Sequence, residues 1–204
     1  MRKMLLAQNI SLIRSNKTIY ENINVSLVSG KIIILKGKNG SGKTSFLKTI
    51  LNLLEPTSGS IYWKGKLISK NLYDYYNNVT YIADKPSSIK QISVYENIKI
   101  WKNIFVSKVK YDQIENILSI LDLDNHLNTK VNSLSLGEVK KLELLRLIIE
   151  NKKVWILDEP FTNLDVDSID IISQTFMDHC RNNGCIIFSS HQEPQIQVSE
   201  EIKL

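Results

Sequence analysis

The sequence predicts an α/β protein with a mostly parallel core sheet, a small antiparallel β subdomain and a helical subdomain. Three observations predict it. The apolar run at residues 31–36 leads into Gly37-Lys38-Asn39-Gly40-Ser41-Gly42-Lys43-Thr44 and then into a helical pattern from Phe46. A second apolar run, Val154-Trp155-Ile156-Leu157, ends in Asp158-Glu159-Pro160, as a buried parallel strand does when it presents carboxylates at its C-terminal end. Between them, residues 85–130 change to helical periodicity, with Ile114, Ile117, Leu118 and Leu121 on one face.

In chain order, residues 5–13 and 22–28 alternate apolar and polar and read as two antiparallel strands joined through Arg14-Ser15-Asn16-Lys17. Gly30 marks a turn. The helix after the glycine-rich loop is expected to run to about Leu54, short of Pro56. Thr57-Ser58-Gly59-Ser60 reads as a loop, Ile61-Tyr62-Trp63 as a strand, Gly65-Lys66 as a hairpin turn and residues 78–83 as another strand. Helices are expected over residues 94–101, 111–121 and from Ser135 through Ile149, the last with capping-box spacing between Ser135 and Glu138. A helix over residues 169–177 and a core strand over residues 185–190 follow, then a short tail from Gln192 to Leu204.

Composition bounds the function. A chain of 204 residues suits one domain over 1–204, with residues 85–145 as helical subdomain and following helix. The net charge of +5 is spread without a Lys/Arg block, so no nucleic-acid partner is expected. Cys180 and Cys185 lack metal or redox-motif spacing and read as unpaired, partly buried thiols in a reducing compartment. No apolar run approaches the roughly 18–20 residues of a membrane span. The start, Met1-Arg2-Lys3-Met4-Leu5-Leu6-Ala7, has too short an apolar stretch for a signal peptide. Work at a membrane would therefore need a separate membrane partner.

The loop at 37–44 matches G-x-x-x-x-G-K-[ST], in the strand-loop-helix context that the pattern requires. Its glycines let backbone N–H groups curl around phosphate oxygens, and the helix N-terminus adds partial positive charge. Gly37 to Thr44, together with Ser45, form the expected nucleotide-phosphate-binding set. Lys43 is expected to reach the β- and γ-phosphates, and the Thr44 hydroxyl to ligate Mg²⁺. Asp158 is expected to hold Mg²⁺ through water, with Glu159 polarising an attacking water as general base. His191 stands at the end of a core strand, where α/β sheets bind ligand, and is expected to contact the γ-phosphate. Ser135 and Gly137 begin a helix that could be merely well capped or could bind phosphate. His126 and His179 have no such placement.

The order of these motifs resembles the ATP-binding-cassette (ABC) ATPases over nearly the whole chain. Leu134-Ser135-Leu136-Gly137-Glu138 looks like their signature motif, Phe161-Thr162-Asn163-Leu164-Asp165 like their D-loop and His191 like their switch histidine. The resemblance implies a head-to-tail homodimer. In it, Ser135, Leu136, Gly137 and Glu138 of one copy close over the ATP on the phosphate loop of the other, and transmembrane permease subunits convert closure into work. A narrower resemblance, to the haem-exporter ATPase family of cytochrome c maturation, rests on residues 81–90 and 94–98, Trp155 to Thr162, Leu164 to Asp167 and Ser190-His191-Gln192. It implies a peripheral subunit on the cytoplasmic face of the inner membrane. The alternatives carry the same catalytic residues: the ATPase of another exporter, for a drug or lipid, or a soluble ABC ATPase outside transport.

Three departures stand out. Lys85 occupies the position of the family's Q-loop glutamine, and a cation beside Mg²⁺ is electrostatically unfavourable. Glu138 replaces the usual glutamine. No aromatic for adenine stacking lies near Arg14, whose guanidinium could stack on the base or simply be solvated.

Overall fold

The computed structural model describes residues 3–191 and 196–204. Met1, Arg2 and Gln192 therefore lie outside the described residues. The chain opens with a long hairpin, β1 (Lys3–Arg14) and β2 (Lys17–Val28). Its turn is Ser15-Asn16, both at positive φ, as a two-residue hairpin turn demands. The connection is thus two residues shorter than the predicted run from Arg14 to Lys17, and β2 starts five residues early. Next come β3 (Ile32–Lys36) and α1 (Lys43–Ile50). The helix ends before the expected Leu54 because Asn52 takes a left-handed φ of 57°, and the Leu53 N–H turns back to the Lys48 carbonyl.

β4 (Ser58–Trp63) begins inside the stretch expected to be a loop. Gly59 sits at a register shift opposite Gln8 to Ser11, with the Gln8 and Asn9 carbonyls where a Cβ would stand. The glycine serves a bulge in a strand, not a loop. β5 (Lys66–Leu67) completes a hairpin, and a 3₁₀ turn (Ile68–Lys70) and α2 (Leu72–Tyr76) follow. Then come β6 (Val79–Ile82), α3 (Val94–Ile104), α4 (Tyr111–Ile120), α5 (Leu136–Glu150), β7 (Val154–Asp158), α6 (Val166–Arg181), β8 (Cys185–Ser190) and β9 (Glu200–Lys203). α6 starts three residues earlier than expected because the Asp165 carboxylate caps it, accepting from the Ser168 N–H at 2.8 Å. β9 is a strand within the expected tail. It is a charged edge, tied to β3 by Lys36–Glu201 (2.8 Å) and Lys31–Glu200 (3.2 Å).

Two sheets result. The antiparallel one has order β2-β1-β4-β5; the five-stranded one, order β6-β7-β8-β3-β9, is parallel throughout. Alternation along the central strands sends apolar residues to both faces, as a sheet covered on both sides requires. Ile33, Leu35, Ile156 and Ile187 pack with α1 and the antiparallel sheet. Ile34, Leu157 and Phe188 pack with α3 to α6, including Ile114, Leu118 and Leu121 on the predicted helix face. Both cysteines are buried free thiols, and burial pushes each up to about 12. Among the described residues, no helix is long and apolar enough to cross a membrane.

Candidate nucleotide site

The C-terminal ends of β3, β7 and β8 bring the predicted residues together. The loop from β3 ends at Gly42, whose φ of 103° is open to glycine, and which caps α1 without any side-chain hydrogen bond. The first-turn N–H groups of α1 therefore face a position that no side chain fills, the geometry of an anion site. Lys43 is 7% exposed. Its Nζ donates to the Gly37 carbonyl (2.8 Å) and lies 3.5 Å from Glu159 Oε1. Ser41 Oγ is buried with no partner among the described residues, an orphan that a phosphate oxygen would satisfy.

The Thr44 hydroxyl donates to Asp158 Oδ2 at 2.7 Å, and Ser189 Oγ donates to Asp158 Oδ1 at 2.6 Å. The Glu159 N–H donates to the same Ser189 Oγ at 2.9 Å. Ser189 thus fixes both carboxylate-bearing residues, a role that sequence reasoning missed. The only signal for it is a hydroxyl at the end of an apolar strand. Glu159 holds a left-handed φ of 48°, unusual for a residue with a Cβ and costing on the order of 1–3 kcal/mol. Its Oε2 lies 2.9 Å from His191 Nδ1 and accepts from the His191 N–H at 3.3 Å. Hydroxyl and carboxylate oxygens meeting beside a phosphate loop fit Mg²⁺, a hard cation that takes one or two protein oxygens and keeps water.

Lys43, Thr44, Glu159 and His191 border a cavity of about 540 Å³, the size of small-molecule sites. Asn39, Gly40, Gly42, Lys43, Thr44 and Ser45 line it with Glu159 and His191, and Arg14 and Ile19 line it too. Gly37, Lys38 and Ser41 border an adjoining hollow with Lys203 and Leu204. A cavity of equal volume lies near the start of β7, between Lys108, Leu147, Lys153 and His179. It has no phosphate loop or strand-end carboxylates, so the chemistry selects the first. His179 there stacks on Trp155 at 3.6 Å, and burial lowers it to about 4.

Other predicted residues lie apart from the cavity. Ser135 caps α5, accepting from the Glu138 N–H (3.2 Å), while Glu138 Oε2 accepts from the Ser135 N–H (2.7 Å). That second bond, chiefly, holds the Glu138 carboxyl below its ordinary range. Leu136 is 72% exposed. None of residues 135–138 lines the cavity. A Cβ on Gly137 would stand 2.7 Å from the Asn163 carbonyl, so the glycine lets the loop before α6 press against α5. Asp165 in that loop lies 3.4 Å from Lys141 Nζ, and its cap bond to Ser168 holds it at about 2. His126 Nε2 lies 3.5 Å from Glu138 Oε1. Lys85 is exposed and does not line the cavity, whereas Asp84 does. Glu143, buried on α5, accepts from the Ser87 N–H (2.8 Å), Ser87 Oγ (2.9 Å) and the Ser88 N–H (2.6 Å). It ties the Asp84–Lys85 segment to the helix that starts at Leu136.

A phosphate loop between a parallel strand and a helix, with strand-end carboxylates and a histidine converging on it, defines a P-loop nucleoside triphosphatase. The chain belongs to the ABC transporter family, whose pattern matches residues 20–162. It is 37% identical to the cytochrome c biogenesis ATP-binding export protein CcmA of Reclinomonas americana, over 95% of this chain and 87% of that one. With the protein of the same name from Histophilus somni it shares 31% identity, over 94% and 88%. Among solved structures, an ABC transporter ATP-binding protein from Pyrococcus furiosus superposes with a TM-score of 0.84 at 26% identity, covering 98% of this chain and 96% of that one.

Proposed function

We propose that this chain is the ATP-hydrolysing subunit of an exporter serving cytochrome c biogenesis, acting in haem export or release of a haem-loaded chaperone. Two copies close head-to-tail around ATP on the cytoplasmic face of the inner membrane, and transmembrane permease subunits turn closure into transport. The observation that carries the reading is the likeness to export proteins of that name along 95% of the chain. The dimer is supported by the separation of Ser135 and Gly137 from the cavity of their own chain.

In this reading Lys43 and the α1 N-terminus bind the phosphates. Thr44 and Asp158 hold Mg²⁺, which when bound neutralises phosphate charge. Glu159 accepts the proton of the attacking water, and His191 Nδ1 orients that carboxylate. Ser135 and the Gly137 N–H of the second copy meet the γ-phosphate.

The test is Glu159→Gln, purified from native membranes beside the unmodified chain. Both should co-purify with membrane subunits and haem-linked absorbance. The variant should retain ATP in a stable dimer, with hydrolysis lowered about 100-fold or more. Native turnover in the variant overturns the general-base role. Stimulation by a drug or lipid rather than by the haem-linked complex favours another exporter, and recovery on ribosomes overturns transport.

A further inference from the structure

The loop after β6 carries opposite charges side by side, Asp84 and Lys85. Both are exposed, but only Asp84 lines the nucleotide cavity, with Lys43, Thr44, Glu159 and His191. Asp84 has no hydrogen bond or ion pair to any described residue. Its backbone is well placed all the same, because Glu143 takes three hydrogen bonds from Ser87 and Ser88 just beyond it.

Two buried groups feel the charge of both Asp84 and Asp158. Lys140 on α5 is 6% exposed, and its ammonium has no hydrogen bond or ion pair among the described residues. Its burial disfavours the charge, and the carboxylates that support it are first Asp84, then Asp158. The Tyr81 hydroxyl, buried and unpartnered among the described residues, is pushed up to about 12 by burial and then by Asp158 and Asp84. Mg²⁺ dehydrates reluctantly and keeps several waters, whose outward hydrogens need acceptors. Asp84 brings a carboxylate-bearing residue to that cavity wall.

We infer that Asp84 is a positioning residue of this site, accepting hydrogen bonds from the waters of Mg²⁺ held at Thr44 and Asp158, and that Lys85 has no part in this. The inference rests on the MgATP reading given above. It resolves the unfavourable cation of the sequence pattern, because Asp84, one position earlier, lines the cavity and Lys85 does not.

The test measures the ATP dissociation constant with EDTA and with Mg²⁺, for the unmodified chain, Asp84→Ala, Asp84→Asn and Lys85→Ala. Binding in EDTA serves as the folding control. In Asp84→Ala it should be unchanged or tighter, since a carboxylate facing bare phosphate is gone. The affinity gained on adding Mg²⁺ should fall by about tenfold, the low end of outer-sphere effects on metal affinity. Asp84→Asn should fall less, and Lys85→Ala should keep the full gain. The inference is overturned if Asp84→Ala keeps the gain within about twofold, or if Lys85→Ala loses it equally. An unmodified chain that binds no ATP in either buffer would instead overturn the nucleotide reading itself.

Discussion

The phosphate loop leads into one helix N-terminus and Ser135 into another, each with serine and glycine close by, yet the chain treats them in opposite ways. At α1 the capping position is Gly42, which offers no side-chain acceptor, and the loop wraps a buried lysine. Asp158, Glu159, Ser189 and His191 are bonded into one network around it. At α5 the capping position is Ser135, already bonded to Glu138, and Leu136 beside it is largely exposed. One end is bordered by that bonded network and left without a side-chain cap; the other is capped and open to solvent. An uncapped, walled terminus suits a ligand held by a single chain. A capped, exposed one suits a surface that meets the ligand only when a second molecule brings it there.

Removing the wall should have the largest effect. Lys43→Ala should weaken ATP binding by about 10- to 100-fold, the worth of one or two charge-assisted contacts, measured by equilibrium titration on the isolated chain. Retained affinity would put the two termini on equal footing and break the contrast. A smaller effect is expected at the second terminus. Gly137→Ala should force the Asn163 carbonyl away and lower hydrolysis by about tenfold, with ATP affinity of the isolated chain unchanged within about twofold. Equal losses in binding and turnover would place Gly137 in the single-chain site. Smallest is the cap itself. Ser135→Ala should cost about 1 kcal/mol, a fall of roughly 2–4 °C in melting temperature. Ser135→Asp should restore that stability, because aspartate caps well, while blocking ATP-driven dimer formation by setting a carboxylate against phosphate. A dimer of normal affinity in the aspartate variant would mean that Ser135 only caps.

What the sequence made legible follows the same contrast. Residues 37–44 and 154–159 could be read because fixed spacing encodes a backbone path, and the path carries the chemistry. The face of α4 was readable from its period. β9 was not, because Glu-Glu-Ile-Lys has one apolar residue, and its strand character comes from the exposed edge of β3 and two ion pairs. Ser58 and Gly59 looked like a loop because the register shift that needs glycine lies in β1, some fifty residues away. Spacing placed the segment at Asp84 and Lys85 but could not say which of the two borders the cavity. The segment is pinned by Glu143, an acid on α5 whose partners, Ser87 and Ser88, are remote in sequence.

The sheet order has a consequence for the birth of the molecule. β3, which ends in the phosphate loop, is flanked on one side by β8 and on the other by β9, both drawn from the last twenty residues. The Leu204 carbonyl stands against Gly37 itself, and the Leu204 N–H donates to the Lys36 carbonyl. On a ribosome, which releases the chain from its N-terminus, the most recognisable motif emerges early and waits unsupported. Its neighbours on either side, β8 and β9, lie far downstream, so the capacity to grip a nucleotide is switched on only after the helices and β7 between them have emerged.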